Sequence, residues 1–353
     1  MKRHLGKILQ SALAMLVGLA TAQATASANV ADFYAGKQIG LLVGSAPGGG
    51  YDAYARQVAR FLAKHVPGSP TIVVQNMPGA GSLNMMNYLF NVSVRDGTVI
   101  GAPQNGVAFE PLLHLLSTDG KTARFDPRKG YWIGSATKDI FVPFVWHETA
   151  VTTLDDLKRV SLRFGANEPN TDNSTLAILL IRMFGAKINL VHGYPGSSTA
   201  LMLAMERGEI QGLAGMPYTS LKARSPQFIE EKKIRFLTQI GMTPHPDLPD
   251  VPLLLDAAPD AESRKALEVI LAKYEMARPF LTTPGVPMDR VAALRAAFNA
   301  TVVDPAFIEE GEKQGLEVDL VTGEAVQKII DQVYQTPESL VLRIRETLKA
   351  ERP

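Results

Sequence analysis

A glycine-rich turn near the start of the chain has the clearest capacity for chemistry. It runs from Val43 to Arg56 (VGSAPGGGYDAYAR) and follows a short apolar run, residues 39–43, with the length of a buried strand. The residues after it show helical spacing, and Asp52 falls in the first turn, where a carboxylate suits the positive end of a helix. A turn of this kind directs several unpaired backbone N–H groups at one point. The stretch therefore predicts a site for an anion.

This turn does not match the known phosphate-binding loops. A Walker A loop ends in Gly-Lys-Ser/Thr, whereas Gly50 is followed here by Tyr51 and Asp52. The dinucleotide fingerprint needs a third glycine where Ala53 stands. On this stretch alone, a tight strand–helix turn without any ligand is as well supported as an anion site. The recurrence of similar turns along the chain favours the anion site.

The sequence offers little for catalysis. No G-x-S-x-G nucleophile motif occurs, because Ser45, Ser82 and Ser197 each lack the glycine two residues before. The six histidines are scattered, and no pair has the spacing of metal ligands. We therefore expect no enzyme, no metal and no cofactor. A hydrolase or lyase stays the less favoured alternative, because residues distant in sequence can meet in the fold.

Composition excludes several further classes of protein. The 353 residues include 36 basic and 35 acidic side chains, and this balance argues against nucleic-acid binding, which needs a basic face. The chain has no cysteine, which excludes disulfides and thiolate metal sites. Its length and its 46% hydrophobic content suit two globular domains of ordinary size.

Residues 1–28 have the features of a secretory signal peptide. Lys2, Arg3 and Lys7 precede an apolar core at 8–20, and Ala26-Ser27-Ala28 offers a cleavage site. The apolar core is shorter than the roughly 20 residues that span a bilayer. We therefore predict export to the periplasm as a soluble protein, with cleavage near Ala28; an uncleaved anchor is the less favoured interpretation.

Three strand–turn–helix units follow one another in the first part of the chain. Residues 39–43, 71–75 and 98–102 are short runs of strand character, and a turn rich in glycine or proline follows each of them. This alternation predicts a parallel, doubly wound sheet with ligands at the carboxyl ends of its strands. The middle of the chain repeats the pattern, with helix-opening turns at 167–174 and 193–198, and predicts a second α/β domain. The helix-rich C-terminal part is expected to complete an earlier sheet.

Several motifs together resemble the solute receptors of tripartite tricarboxylate transporters, also called Bug-type receptors. The match covers nearly all of the chain after the predicted signal peptide, and it is specific because the motifs keep their order. They are PGGGYD at 47–52 with AR at 55–56, VQNMPGAGS at 74–82, DGT at 96–98, GYPGS at 193–197, LPDVP at 248–252 and PGVPMDRV at 284–291.

This resemblance implies an α/β fold of two domains, like the type II periplasmic binding proteins, with the ligand cleft between them. Residues 29–137 with 240–353 would form the first domain, which is discontinuous, and residues 138–239 the second. The chain would cross the cleft twice, near 134–138 and 239–242, and such double crossovers act as hinges that close around ligand.

By the same resemblance, one carboxylate of the ligand should lie between a turn from each domain. The first turn contributes Ala46, Gly48, Gly49, Gly50, Tyr51 and Asp52, the second contributes Asn170, Thr171, Asn173 and Ser174 with Gly196 and Ser197, and Gln104 and Asn105 face the cleft after the third strand. Tyr194 and Tyr218 also lie in turns beside this site; for them and for Tyr51, a ligand contact and a packing role are equally supported. Residues 167–172 depart from the glycine-richer turn that is usual in the family.

The expected ligand is a small organic acid, either a mono- or a dicarboxylate. We expect backbone N–H groups and hydroxyls to hold it, since the three helix-opening turns contain no lysine or arginine. The resemblance implies delivery to the membrane permease subunits of a tripartite transporter. A carboxylate sensor that docks a membrane signalling protein is the alternative, and the sequence does not discriminate between the two. We expect a monomer.

Overall fold

The computed structural model describes residues 29–115, 123–167, 171–194 and 198–349. The predicted signal peptide, residues 1–28, lies outside the described residues, as do the predicted site residues Asn170, Gly196 and Ser197. The fold combines two β-sheets with helices, so the predicted α/β class is confirmed.

The first part of the chain alternates strand and helix, as its sequence predicts. Its first helix is amphipathic: Tyr54, Val58 and Leu62 are buried at four-residue spacing, whereas Arg60 is exposed. In chain order the elements are β1 (Gln38–Val43), α1 (Gly50–Leu62), β2 (Thr71–Asn76), α2 (Leu83–Asn91), β3 (Val99–Ala102), α3 (Glu110–Leu113) and β4 (Tyr131–Ser135).

The middle part forms a second set of strands and helices. Its central strands are almost continuously buried, which is typical of strands that are covered on both faces. The elements are β5 (Phe141–Trp146), β6 (Leu162–Gly165), α4 (Asp172–Phe184), β7 (Ile188–Val191), α5 (Ser198–Glu206), β8 (Gly212–Pro217), α6 (Tyr218–Arg224), α7 (Pro226–Glu230) and β9 (Ile234–Phe236).

The last part is mainly helical and contains two short strands. The elements are α8 (Ala261–Leu271), β10 (Pro279–Thr282), α9 (Met288–Val302), α10 (Pro305–Lys313), β11 (Val321–Thr322), α11 (Gly323–Val333) and α12 (Glu338–Leu348). A short 3-10 helix at Ala272–Met276 links α8 to β10 and carries residues of the candidate site.

The larger sheet has the strand order β11-β4-β10-β3-β1-β2. Strand β1 pairs in parallel with β2 and β3, in agreement with the sequence. The predicted parallel pairing holds for these three strands and does not extend to the whole sheet, because β10 runs antiparallel to β3 and β4, and β11 runs antiparallel to β4. The C-terminal part thus completes this sheet by adding strands in the reverse direction.

The smaller sheet has the strand order β7-β6-β8-β5-β9 and consists entirely of strands from the middle of the chain. Strand β6 is parallel to β7 and β8, while β5 is antiparallel to β8 and β9. The chain therefore passes from the larger to the smaller sheet after Ser135 and leaves the smaller sheet after Phe236.

Helices pack closely on both sheets. On the larger sheet α9 and α11 contact β4, and on the smaller sheet α4 contacts β8. Gly134 in β4 permits the approach of α9, because a Cβ atom there would lie 2.5 Å from the ring of Phe298. Within the described residues no single helix is long and apolar enough to cross a membrane. Helices α9 and α10, which are bent relative to each other, reach the required length and apolar content only when they are taken together.

Candidate functional site

Two adjoining cavities lie where turns from both sheets meet. The smaller has a volume of about 230 Å³ and the larger about 320 Å³, and Tyr51, Asn105, Thr171 and Asp172 line both. Tyr51 and Asn105 follow strands β1 and β3 of the larger sheet, whereas Thr171 and Asp172 open helix α4 after β6 of the smaller sheet. Both cavities therefore lie beyond the carboxyl ends of strands, where α/β proteins place their ligands.

The glycine-rich turn begins helix α1 without a side-chain cap. Gly49 is the N-cap residue in extended backbone, and no side chain accepts a hydrogen bond from the first turn at this position. Gly48 and Gly49 are exposed, and a Cβ at Gly49 would come no closer than 3.9 Å to Ala46 O. The start of α1 is thus an open positive end of a helix dipole.

The buried carboxylate of Asp52 stabilises this turn through hydrogen bonds. Its carboxylate accepts hydrogen bonds from Gly48 N–H (2.8 Å), Asn76 Nδ2 (2.8 Å) and Arg56 Nε (2.9 Å), and the residue is 3% exposed. Burial alone would raise the pKa of Asp52, but the hydrogen bonds from Arg56, Gly48 and Asn76 hold that pKa below its usual value. Asp52 is therefore an ionised part of the turn whose oxygens already have protein partners.

A hydrogen-bonded pair fixes the ring of Tyr51 against the cavities. The Tyr51 hydroxyl donates to Asn105 Oδ1 at 3.1 Å and accepts from Asn105 N–H at 3.3 Å. The Asn105 side-chain amide in turn donates to the Lys273 carbonyl at 3.1 Å. Burial raises the pKa of Tyr51 to about 12, so the phenol stays neutral.

Arg278 lies beside the start of α1. Its guanidinium carbon is 4.6 Å from the ring centroid of Tyr51 and 5.2 Å from that of Tyr54. Its Nη2 is 3.2 Å from Asp139 Oδ2, and a Cβ built on Gly50 would lie 3.7 Å from the same nitrogen. Arg278 Nε is buried and has no hydrogen-bond partner among the described residues. A stacked cation and an open helix start thus favour an anion at the same place.

Asp172 connects the two halves of the site. Its Oδ1 accepts hydrogen bonds from Lys273 Nζ (2.6 Å) and from the Tyr274 hydroxyl (3.0 Å), which both belong to the link between α8 and β10. Burial opposes the charge of Asp172, but Lys273 and Tyr274 hold the pKa of this carboxyl below its usual value. Asp172 is therefore ionised at the first position of α4, where its charge also suits the helix dipole.

Asp139 is the second carboxyl of the smaller cavity. It is 4% exposed and follows β4, close to the point where the chain leaves the larger sheet. Burial raises its pKa to about 6 although Arg278 opposes the shift, and the negative charges of Asp172 and Glu317 add to it. Most Asp139 side chains are nevertheless ionised at neutral pH.

The raised pKa of Asp139 predicts a pH-dependent stability. Because the folded pKa of about 6 exceeds an unfolded value of about 3.9, the contribution of Asp139 is fully present below about pH 4 and lost as the pH rises through about 6. A difference of about 2 units corresponds to about 3 kcal/mol. In urea unfolding, wild type should therefore lose about 3 kcal/mol relative to Asp139→Asn between about pH 4 and pH 7. Parallel pH curves for the two proteins would contradict this assignment.

Hydrogen bonds among its own polar side chains stabilise the turn at the start of α4. Thr171 Oγ1 donates to Asn173 Oδ1 at 2.6 Å, and Asn173 Nδ2 donates to Asn167 Oδ1 at 2.7 Å. Ser174 is buried and its hydroxyl lies 3.0 Å from His192 Nε2. Asn167 and Asn173 line the smaller cavity with Thr171, so this turn presents its polar side chains to that space.

The structure brings some of the predicted site residues to the cavities and places others elsewhere. Tyr51, Gln104, Asn105, Thr171 and Asn173 line them. Tyr218 is buried among Phe236 and His245, and Tyr194 packs partly buried beside the same cluster. The predicted residues that line neither cavity are Ala46, Gly48, Gly49, Gly50, Asp52, Ser174, Tyr194 and Tyr218.

Five charged residues that line the cavities were not predicted from the sequence: Glu110, Asp139, Asp172, Lys273 and Arg278. Asp172 stands inside the predicted second turn, and its position one residue after Thr171 was the available signal. Lys273 lies in the link between α8 and β10, and Arg278 directly precedes β10, a strand that was not predicted from the sequence. Within the described residues, no group of three or more His, Cys, Asp or Glu side chains is arranged to hold a metal ion.

Comparison with known proteins agrees with this architecture. No protein-family profile matches the chain. A curated relative from Pseudomonas sp. (strain P51), the UPF0065 protein in the tcbD-tcbE intergenic region, is 25% identical over 327 residues, which are 86% of this chain and 85% of the relative.

Solved structures of binding proteins superpose on most of the chain. A TctC solute binding protein from Polaromonas has a TM-score of 0.66 at 18% identity, covering 87% of this chain and 98% of that one. The periplasmic binding protein BugD has a TM-score of 0.60 at 18% identity, with 88% and 97% covered. The predicted resemblance to Bug-type solute receptors is confirmed. MatC from Rhodopseudomonas palustris with bound malate gives a TM-score of 0.58 at 16% identity, with 89% and 99% covered.

These Bug-like structures share the fold with this chain. At such identities the likeness shows the periplasmic-binding-protein fold alone, so the ligand must be inferred from the residues that line the cavities. The Polaromonas protein and BugD are described as binding proteins, and their likeness to this chain shows a shared fold.

Proposed function

We propose that the protein is a non-enzymatic, extracytoplasmic receptor that captures a small organic carboxylate between its two sheets. The observation that carries this proposal is the open start of helix α1 beside Arg278, at a cavity that residues from the first turn of α4 line from the other sheet. Neither helix has a side-chain capping hydrogen bond, and residues of both first turns line the cavity. Arg278 adds a cation beside α1. This set of groups suits a carboxylate.

The expected interaction energies are large enough for micromolar ligand binding without a metal ion. Each helix start favours an anion by roughly 0.3–1 kcal/mol, and by up to about 2 kcal/mol when partly buried. Each hydrogen bond to a charged group adds about 1.5–3 kcal/mol. Three or four such bonds and the one open helix start, that of α1, give a gross gain of about 5–14 kcal/mol, part of which offsets ordering and desolvation. Micromolar binding needs about 8 kcal/mol net, which lies within this range.

The two-domain division follows as part of the proposal. Residues 29–137 with 240–353 would form one domain and residues 138–239 the other, in keeping with the strands of the larger and smaller sheets. The cavities lie between turns of the two sheets, so a rotation about the segments near 138 and 239 would open and close them. Binding would then favour the closed arrangement.

Delivery to a membrane permease of the tripartite tricarboxylate type completes the proposed role. The likeness to a TctC solute binding protein supports it, together with the signal-peptide features of residues 1–28. The periplasm is accordingly the proposed location, with cleavage near Ala28.

A thermal-shift screen tests the carboxylate site. Mono- and dicarboxylates are compared with their neutral amides on the purified protein, and a ligand at about 100 times its Kd should stabilise the fold by about 2.7 kcal/mol. The acid should raise the melting temperature and the amide should not, because an amide is a weaker acceptor and lacks the charge that Arg278 and the start of α1 favour. Equal stabilisation by acid and amide, or loss of all binding on adding a chelator, would refute the proposed site.

A further inference from the structure

The charged residues that line the two cavities include carboxylates as well as cations, so the site does not suit an anion alone. Asp139, Asp172 and Arg278 line the smaller cavity, and Lys273 joins Asp172 in lining the larger one. Asp139 pairs with Arg278 and Asp172 pairs with Lys273, so these four charges balance before any ligand enters. A plain carboxylate would add a charge of −1 to these balanced pairs, and a dicarboxylate would add −2. Uncompensated charge in a partly buried site is costly.

Two of these carboxylates keep accepting capacity towards the cavity. Both hydrogen bonds to Asp172 end on its Oδ1, so Oδ2 accepts none from the described residues. Asp139 meets Arg278 through Oδ2 at 3.2 Å, and its Oδ1 accepts no hydrogen bond from that same part of the chain. Both residues line the smaller cavity. Two acceptor oxygens therefore lie beside the proposed carboxylate site.

The second helix start already carries a carboxylate. Asp172 is the first residue of α4, and its charge occupies the positive end of that helix dipole. A second carboxylate of a ligand would meet Asp172 there instead of an open helix start. This is the turn at which the sequence departs from the glycine-richer pattern of the family it resembles.

We propose that the ligand is an aminocarboxylate, whose ammonium group is held by Asp139 and Asp172 while its carboxylate lies between Arg278 and the start of α1. The inference rests on the proposed function and narrows its ligand class. A zwitterion adds no net charge to the cavities. Phe141, Leu213 and Met216 line the smaller cavity and provide an apolar surface for the carbon body of the ligand.

Isothermal titration calorimetry with matched probes tests the inference. L-leucine is compared with 4-methylpentanoate, its analogue without the amine, and 4-aminobutanoate with pentanoate and glutarate, which replace the ammonium by a methyl and by a carboxylate. At least one aminocarboxylate should bind on the order of tenfold or more tightly than each of its matched analogues, since hydrogen bonds between charged groups are the strong ones.

Two variants test whether the side chains of Asp172 and Asp139 cause the preference for an aminocarboxylate. Asp172→Asn should reduce the ratio of aminocarboxylate to plain carboxylate affinity by about tenfold or more, because it removes one negative charge and keeps the shape. Asp139→Asn is the second variant and should act in the same direction, which keeps the test available should one protein fail to fold. Asp155→Asn makes the same change on an exposed residue outside the cavity lining and should leave the ratio as in wild type.

The possible results distinguish a failure of this inference from a failure of the proposed function. If neither L-leucine nor 4-aminobutanoate binds more tightly than its matched analogues, the inference is overturned and the proposed carboxylate receptor stands. A wild-type ratio in both Asp172→Asn and Asp139→Asn would also overturn it. The absence of binding by every carboxylate in the panel and in the thermal-shift screen would contradict both the inference and the proposed function.

Discussion

Replacing Arg278 with methionine is expected to weaken ligand binding on the order of 100-fold. Arg278 is the cation beside the start of α1, and the truncation of one partner in a buried charged contact costs about 2–5 kcal/mol. Methionine keeps an apolar body of similar length against the rings of Tyr51 and Tyr54, which now stack on the guanidinium. Calorimetry with whichever carboxylate the thermal-shift screen identifies measures the loss.

The same change should also lower stability at neutral pH. It leaves Asp139 buried without its ion-pair partner, and breaking a buried pair costs about 3–5 kcal/mol. The loss should shrink towards pH 5, because Asp139 already has a pKa raised to about 6 and would take up a proton more readily without Arg278. Adding Asp139→Asn to the variant should recover part of the stability and none of the binding.

Arg295 provides a matched control for this substitution. Its side chain is 19% exposed, compared with 13% for Arg278, and it also pairs with a carboxylate, Glu324, at 2.9 Å. It lines neither cavity. Arg295→Met should therefore reduce stability and leave ligand affinity unchanged. An Arg278→Met protein that folds and binds within threefold of wild type would show that the guanidinium does not hold the ligand.

The parts of the fold that the sequence predicted are those with strong local patterns. Strands β1 and β3 are apolar runs that end at glycine or proline, and helix α1 after β1 shows a buried face at four-residue spacing. Local residues alone determine both features. The parallel pairing of β1 with β2 and β3 follows from the helical connections between them.

Strand β10 was missed because long-range packing determines it. It has only four residues, Pro279–Thr282, and it is buried because β3 and β4 pair with it from distant parts of the chain. A run this short has no reliable period, and its first residue is a proline. Without β10, nothing in the sequence places Arg278 and Lys273 beside turns that lie more than 90 residues away.

The sequence predicted the positions of the two helix-opening turns of the candidate site, but it did not predict the charged side chains that line it. Glycines and capping residues mark where helices begin, so the two turns could be found from the sequence. The pairing of Asp172 with Lys273 depends on how two sheets and their connections meet, and neither partner has a local signal for it. The turns themselves contain no basic residue, but Arg278 and Lys273 reach the cavities from another part of the chain.

Asp52→Ala is expected to lower both stability and ligand affinity, although Asp52 lines neither cavity. Its carboxylate joins Gly48 N–H, Arg56 and Asn76, and Asn76 also donates to Ser45 O at 3.0 Å. Removing it leaves these donors without their buried acceptor, which costs about 2–4 kcal/mol. The turn from 45 to 48 then loses its fixed position before α1, so affinity should fall on the order of tenfold.

Asp304→Ala separates this effect from a general loss of stability. Asp304 also accepts a hydrogen bond from a backbone N–H, that of Ala306 at 2.9 Å, and it pairs with Lys64 and with His65. It opens α10 and lines neither cavity, so its removal should lower the midpoint of urea unfolding without changing ligand affinity. Asp52→Asn, which can still accept from Gly48 N–H, should fall between wild type and Asp52→Ala in both measurements. If Asp52→Ala and Asp304→Ala lose stability alike and both bind as wild type does, the turn is not part of the binding site.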